Sequence, residues 1–242
     1  MNDIELNNLL VERFLQTQSF YGRTWLKFTA RCKRISWRII VSFALVLKRA
    51  FDIIASLLFL LVFSPLFLFI AALIKLEDGG PIFFPQIRVG QFGRKFTMWK
   101  FRSMCLDAES RMKELFAQNQ HAEGITFKIK NDPRVTRIGK WLRKFSLDEL
   151  PQFFNVLTGD MSLVGPRPPV PREVDLYTLA DRRRLAAIPG ITCFWQIGGR
   201  SEIDFSGQVQ LDVCYIESQS FWLDVKILLK TVPAVLCSKG AY

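Results

Sequence analysis

Residues 50–74, AFDIIASLLFLLVFSPLFLFIAALI, form an apolar run long enough to cross a bilayer, with Asp52 as its only charge and Lys48, Arg49 and Lys75 at its borders. Ser64-Pro65 interrupts the run at its middle. Proline inside a helix removes a backbone donor and clashes with the preceding turn, at a cost of ~3 kcal/mol. Each half of the run is then about 10 residues, or roughly 15 Å at the helical rise, half of a bilayer core. Both flanks are basic: Arg31, Lys33, Arg34 and Arg38 precede the run, and Arg88, Arg94, Lys95, Lys100 and Arg102 follow it. The positive-inside rule therefore places both ends in the cytoplasm. A helix that enters, bends at Ser64-Pro65 and returns meets both conditions, with the Ser64 hydroxyl covering the carbonyl that Pro65 frees. A kinked span is the alternative.

The rest of the chain bounds its partners. Twenty-two phenylalanines among 242 residues exceed what a soluble core of this size normally uses, so part of the apolar surface is expected to meet lipid. A formal charge of +11 favours polyanions: nucleic acid, anionic headgroups or phosphorylated substrates. Five scattered cysteines (32, 105, 193, 214 and 237) make no CxxC pair, so neither a disulfide framework nor a zinc site is indicated. His121 is the single histidine, which argues against a triad built on imidazole. No secretory signal is visible in the first 30 residues.

Three regions follow: an amphipathic to interfacial arm over 1–47, the re-entrant membrane helix over 48–78, and a cytoplasmic catalytic domain over 79–242. In the arm, Leu6, Leu9, Leu10, Phe14 and Leu15 recur at helical spacing, and RCKRISWRIIVSFALVL (31–47) reads as an interfacial helix or an ordinary core helix. Beyond the turn EDGGP, the β-prone stretches around residues 89–93 predict a hairpin. An amphipathic helix is expected over 107–119, a basic helix over DRRRLAA (181–187), and the final segment from LDVCYIE has helical periodicity with aromatic edges. GPRPPVPRE (165–173) is expected to be an irregular loop.

The densest chemistry lies in KFSLDELPQFFNVLTGDMSLVGPRP, residues 144–168. Ser146 and Glu149 have the spacing of a capping box, so SLDE can be read as no more than a helix start. A cap does not explain the bases around the pair: Arg134, Arg137, Lys140, Arg143 and Lys144 before it, and Arg167 after it on a proline-stiffened loop. Two carboxylates among so many cations suit a polyphosphate and its metal. At a helix N-terminus the dipole would keep Asp148 ionised and nucleophilic at neutral pH. A carboxylate attacking a phosphoryl centre forms an acyl phosphate and splits one displacement into two. Glu149 is the candidate ligand for a divalent metal that shields the diphosphate. Arg88, Arg143, Arg167 and Arg200 are the candidate phosphate clamps, since arginine meets phosphate oxygens in bidentate fashion.

The segments KRAFD, the SP-bent apolar run, PIFFPQIRVG, FTMWKFRSM, DPRVTRIGKWLRKFSLDELPQFFNVLTGDMSLVGPRP, PGITCFWQIGGR and LDVCYIE together resemble the bacterial sugar transferase family, the monotopic polyprenyl-phosphate phosphoglycosyl transferases. The resemblance covers residues 48–242. It implies that Asp148 and Glu149 are the catalytic dyad, that the aspartate carries a phosphosugar intermediate and that the glutamate assists Mg²⁺ binding. It also implies that the helix around Ser64 and Pro65 is re-entrant, that Arg167 holds substrate phosphate, and that the FRSM and PGIT elements, with Lys100, Arg102 and Arg200, contribute near the site. The fold expected on this basis is mainly α with a few short β-strands: a monotopic protein with a re-entrant helix and interfacial amphipathic helices, on the cytoplasmic face of a bacterial inner membrane. The implied partners are a UDP-sugar, undecaprenyl phosphate and membrane lipid, with UDP-glucose or UDP-galactose hinted at by the ending KGAY. A homo-oligomer is compatible with the sequence and not required by it. The alternation of bases and aromatics in WKFR and WLRK would also suit nucleic acid, but that reading, like a non-catalytic scaffold, leaves the SLDEL pair unexplained. No nucleic-acid partner is therefore expected.

Overall fold

The structure, a computed structural model, describes residues 3–108, 110–111, 132–199 and 203–237. Among these the protein is mainly helical with a few short strands, in two compact units, Met1–Lys48 and Arg49–Tyr242. The first unit holds α1 (Asp3–Gln18) and the beginning of α2 (Phe20–Asp78). Ser19 separates the two helices, and its Oγ accepts the Gly22 N–H at 2.9 Å, capping the second. The arm over 31–47 is not an element of its own: with no Gly or Pro between Gly22 and Pro65, nothing in the chain ends the helix there. Trp25, Phe28, Trp37, Ile40 and Phe43 are each more than half exposed.

Within the second unit α2 carries the apolar run, and Pro65 does not end it. The carbonyl that loses its partner to Pro65 belongs to Leu61, and Ser64 Oγ donates to that oxygen at 2.9 Å. Only 11% of the most apolar stretch is buried, which is not how the core helix of a soluble protein looks. Ile54, Leu57, Leu58, Leu61, Leu68 and Phe69 are each more than half exposed. The opposite face packs on the body along its whole length, through Phe51 and Ala55 near one end and Ile70 and Ile74 near the other. Ile70 and Ile74 are 2% exposed, a burial that stabilises by about 1.5–3 kcal/mol each. In the middle Phe59 stacks on Phe153, with ring centroids 4.0 Å apart.

The predicted hairpin is present as β1 (Phe83–Val89) antiparallel to β2 (Lys95–Phe101). Its register sets Phe84 opposite Lys100, Gln86 opposite Met98 and Arg88 opposite Phe96. Paired residues share a face. The face that carries Phe96 and Met98 into the core therefore carries Gln86, Arg88 and Lys100 inward as well.

Helix α3 (Arg137–Lys144) begins at Thr136, whose Oγ1 accepts the Gly139 N–H at 2.9 Å. It seats Leu142 and Ile138 against Ile70 and Ile74 of α2. Gly139 is needed for that approach, because a Cβ there would stand 2.0 Å from the Ser103 carbonyl oxygen. Helix α4 (Gln152–Thr158) is tied to the hairpin by Asn155, which accepts the Trp99 N–H at 2.9 Å and donates to the Thr97 carbonyl at 2.7 Å. Strand β3 (Ser162–Val164) pairs in parallel with β4 (Gly190–Thr192).

One predicted loop and one predicted helix take other forms. GPRPPVPRE is irregular only to Val170, after which Pro171–Asp175 makes a short helix, α5. DRRRLAA is a 3-10 turn, Asp181–Ala186, whose Arg184 turns inward to the buried Asp212. Helix α6 (Phe194–Gly198) follows β4, and the predicted helical ending is the pair α7 (Phe205–Ser218) and α8 (Phe221–Cys237). Tyr215 and Ile227 from that pair close the central core on Val156, Met161 and Val164. Residues 112–131, which hold His121 and most of the helix expected over 107–119, lie outside the described residues.

Candidate active site

Ser146 is not the cap of a helix. It has φ 55, makes no side-chain capping bond, and is followed by a 3-10 turn, Leu147–Glu149, with α4 starting only at Gln152. A non-glycine residue held in the left-handed region costs roughly 1–3 kcal/mol. Here the conformation turns the chain out of α3, Leu147 and Leu150 pack into the cluster of Ile70, Ile74, Phe101 and Leu142, and the two acids between them line an interior cavity. The capping-box reading of SLDE is thus overturned.

Asp148 and Glu149 line a cavity of ≈ 1370 Å³ together with Arg88, Lys100, Arg143 and Arg167. Glu149 Oε1 accepts from Lys100 Nζ at 2.8 Å and from Arg167 at 2.9 Å. Lys100 Nζ also stands 4.0 Å from Asp148 Oδ2. Arg167 reaches the site from the loop after β3, where β3 and β4 meet at Gly165 and Gly190. A Cβ on Gly190 would stand 2.0 Å from the Gly165 backbone nitrogen. The same loop is fastened to β1: Val89 N donates to Pro169 O and Arg88 to Pro168 O, both at 2.9 Å. Arg88 is held in plane by two bonds to Gln86 Oε1, at 3.1 and 2.8 Å. Gln86 is not singled out by sequence reasoning. The i, i+2 alternation of a strand is the signal that could have found it.

The two carboxylates differ in electrostatics. Burial alone would raise Glu149, but Arg167 and Lys100 together outweigh it and hold its carboxyl far below the usual carboxylate range. Asp148 is pushed above that range by burial and by the neighbouring Glu149, against the pull of Lys100. The expectation that a helix N-terminus keeps Asp148 strongly ionised therefore fails, because no α-helix begins at this turn and Asp148 is buried. Burial also lowers Lys100, and it lowers Arg88 to about 10 with help from the like charge of Arg167. The cavity lining carries more bases than acids, and Arg88, Lys100, Arg143 and Arg167 act on the acidic pair, an excess of positive charge suited to a multiply charged anion.

Arg102 lines the same cavity, but its guanidinium is engaged by Asp78 through two bonds, one of 2.8 Å. That pair holds Asp78 below its ordinary value and anchors the end of α2, so Arg102 serves the helix rather than a phosphate. Arg200 lies outside the described residues. Among the described residues no three of His, Cys, Asp or Glu gather to form a cage for a metal. Mg²⁺ does not need one, since it is commonly held by one or two carboxylates together with substrate phosphates and water. Asp148 and Glu149, an acidic pair lining the cavity, fit that pattern.

A family model described as bacterial sugar transferase matches residues 43–238. The chain is 50% identical over its full length to the galactosyl transferase CpsE of Streptococcus agalactiae, of which it spans 54%. Over 81% of its length it is 45% identical to the exopolysaccharide production protein ExoY of Rhizobium meliloti, covering 88% of that protein. It is also 45% identical, over 81% of its length, to the undecaprenyl-phosphate galactose phosphotransferase of Salmonella typhimurium, of which it covers 42%. The chain belongs to the bacterial sugar transferase family.

Proposed function

We propose that the protein is a phosphoglycosyl transferase that moves a sugar 1-phosphate from a UDP-sugar to undecaprenyl phosphate and releases UMP, an early membrane step in exopolysaccharide synthesis. The observation that carries this reading is the buried Asp148–Glu149 pair, ringed by Arg88, Lys100, Arg143 and Arg167 in a cavity whose apolar wall includes Phe59, Phe63 and Leu66 of the membrane helix. One cavity thus offers cations for phosphates and apolar surface for a lipid chain. The names of the Salmonella and Streptococcus relatives favour galactose, and a glucose donor is the alternative because another relative, from Komagataeibacter xylinus, is named as an undecaprenyl-phosphate glucose phosphotransferase.

In the proposed cycle an Asp148 carboxylate oxygen attacks the phosphorus attached to the sugar. A P–O bond to the aspartate forms, the bridging P–O bond breaks, and UMP leaves. An oxygen of undecaprenyl phosphate then attacks the same phosphorus, and Asp148 departs as a carboxylate. Lys100, the nearest cation to Asp148, favours its ionised form for the first attack. Arg167 and Arg88 hold the phosphoryl oxygens, and Glu149 keeps Lys100 and Arg167 in position. Mg²⁺ bound at Glu149 would neutralise diphosphate charge.

The membrane placement is part of the proposal: α2 enters and leaves on the cytoplasmic face. Its support is that both ends of the apolar run are fixed to the same body. Arg49 donates to the carbonyls of Val156 and Leu157 at 2.6 and 3.0 Å, while Asp78 is bound by Arg102.

The test is label transfer from a UDP-sugar carrying ³²P in its β-phosphate, run with Mg²⁺ and a panel of sugars. Wild-type protein is expected to become labelled and to release UMP before lipid is added, whereas Asp148→Asn should do neither while keeping its thermal unfolding profile. A fully active Asp148→Asn variant would remove the nucleophile.

A further inference from the structure

Helix α3 has two unlike faces. Ile138 and Leu142 are turned onto Ile70 and Ile74 of α2, while Arg137, Lys140, Trp141 and Lys144 are turned out, and Trp141 is 64% exposed. The outward residues follow the i, i+3, i+4, i+7 spacing of one helical stripe. None of the three bases pairs with a carboxylate among the described residues, whereas other exposed bases, such as Arg183 with Glu217, do. Lys144 lies over the rings of Trp141 and Phe145, at 5.4 and 5.5 Å from their centres, and those two rings stack. The inward face of the same helix packs with the last turns of the apolar run, close to where that run gives way to Lys75. Bases flanking an indole at such a level have the make-up of a headgroup contact.

We infer that this face of α3 binds the headgroups of anionic phospholipid, with Arg137, Lys140 and Lys144 on the phosphates and Trp141 at the glycerol level. The inference rests on the membrane placement proposed above and adds a preference for charge. It also has a route to the chemistry. Arg143 of the same helix lines the active-site cavity, and the chain passes from Lys144 through Phe145 and Ser146 directly into the turn bearing Asp148 and Glu149. A leaflet that holds α3 therefore steadies the dyad.

The full chain is reconstituted in nanodiscs of phosphatidylcholine with phosphatidylglycerol, and the Trp141 emission is isolated as the difference between wild type and Trp141→Phe. Spin-labelled phosphatidylglycerol is expected to quench that emission about threefold more than spin-labelled phosphatidylcholine. Raised salt or Lys140→Glu with Lys144→Glu should remove the preference. Lys140→Gln with Lys144→Gln, a milder change at exposed sites, should reduce it. Equal quenching by both lipids would overturn the charge preference, and quenching by neither would overturn the contact itself. UMP release from UDP-galactose in detergent is measured separately. Its loss in wild type would count against the proposed reaction and leave the quenching result standing.

Discussion

Asp148 works against its surroundings. Burial and Glu149 favour its protonated form, Lys100 favours the carboxylate, and an attacking nucleophile must be ionised. The first half-reaction should therefore fail on the acid side, as pH falls through a raised Asp148 pKa, and should do so at higher pH than an ordinary aspartate would dictate. Lys100→Met removes the opposing cation, so its acid limb is expected to move further up. UMP release against pH on both proteins measures this, and a limb at the ordinary aspartate position would contradict the burial argument. Glu149 differs in role because two cations meet on one of its oxygens. Its low pKa keeps it charged across that whole range.

At the scale of elements, the apolar helix α2 is continuous through a proline because a neighbouring hydroxyl takes the place of the lost donor. Ser64 Oγ bonds the Leu61 carbonyl that Pro65 cannot reach. Ser64→Ala alone should then destabilise by about 1 kcal/mol, and the same change should be nearly neutral beside Pro65→Leu, where the backbone N–H returns. Thermal inactivation in detergent across the four proteins of this cycle gives the coupling. Equal effects of Ser64→Ala in both backgrounds would mean that the hydroxyl does not substitute for the amide. The hairpin and α4 show a second kind of substitution. Asn155 serves the edge of β2 with one acceptor and one donor, and so fixes the distance between Lys100 and the turn that carries the acids.

On the scale of the whole molecule, the apolar run is bound at both ends to the body that holds the active site, by Arg49 on α4 and Asp78 on Arg102. A straight crossing would carry one of these ends away from its partner. Reporter cysteines placed before Lys48 and after Lys75 should thus both react with a membrane-impermeant maleimide only from the cytoplasmic side. Pro65→Leu should expose the earlier one to the other side. Unchanged labelling in Pro65→Leu would show that the proline does not set the topology.

The apolar run, its Ser-Pro interruption, the hairpin and the acidic pair are legible in the chain because each depends on neighbours within a few residues: hydropathy, backbone donors, turn chemistry and local charge. What only the tertiary structure decided depends on residues far apart. The S-x-x-E spacing at 146–149 satisfies the local rule for a cap, yet Leu147 and Leu150 pack into the cluster of Ile70, Ile74, Phe101 and Leu142, with a left-handed Ser146 and a 3-10 turn instead. Arg88, Lys100, Arg102 and Arg167 are alike as sequence. Strand register and loop closure send Lys100 and Arg167 to Glu149, Arg88 to Gln86 and the Pro168 carbonyl, and Arg102 to Asp78, because the energy of a buried charge is fixed by the partner it meets and not by its place in the chain.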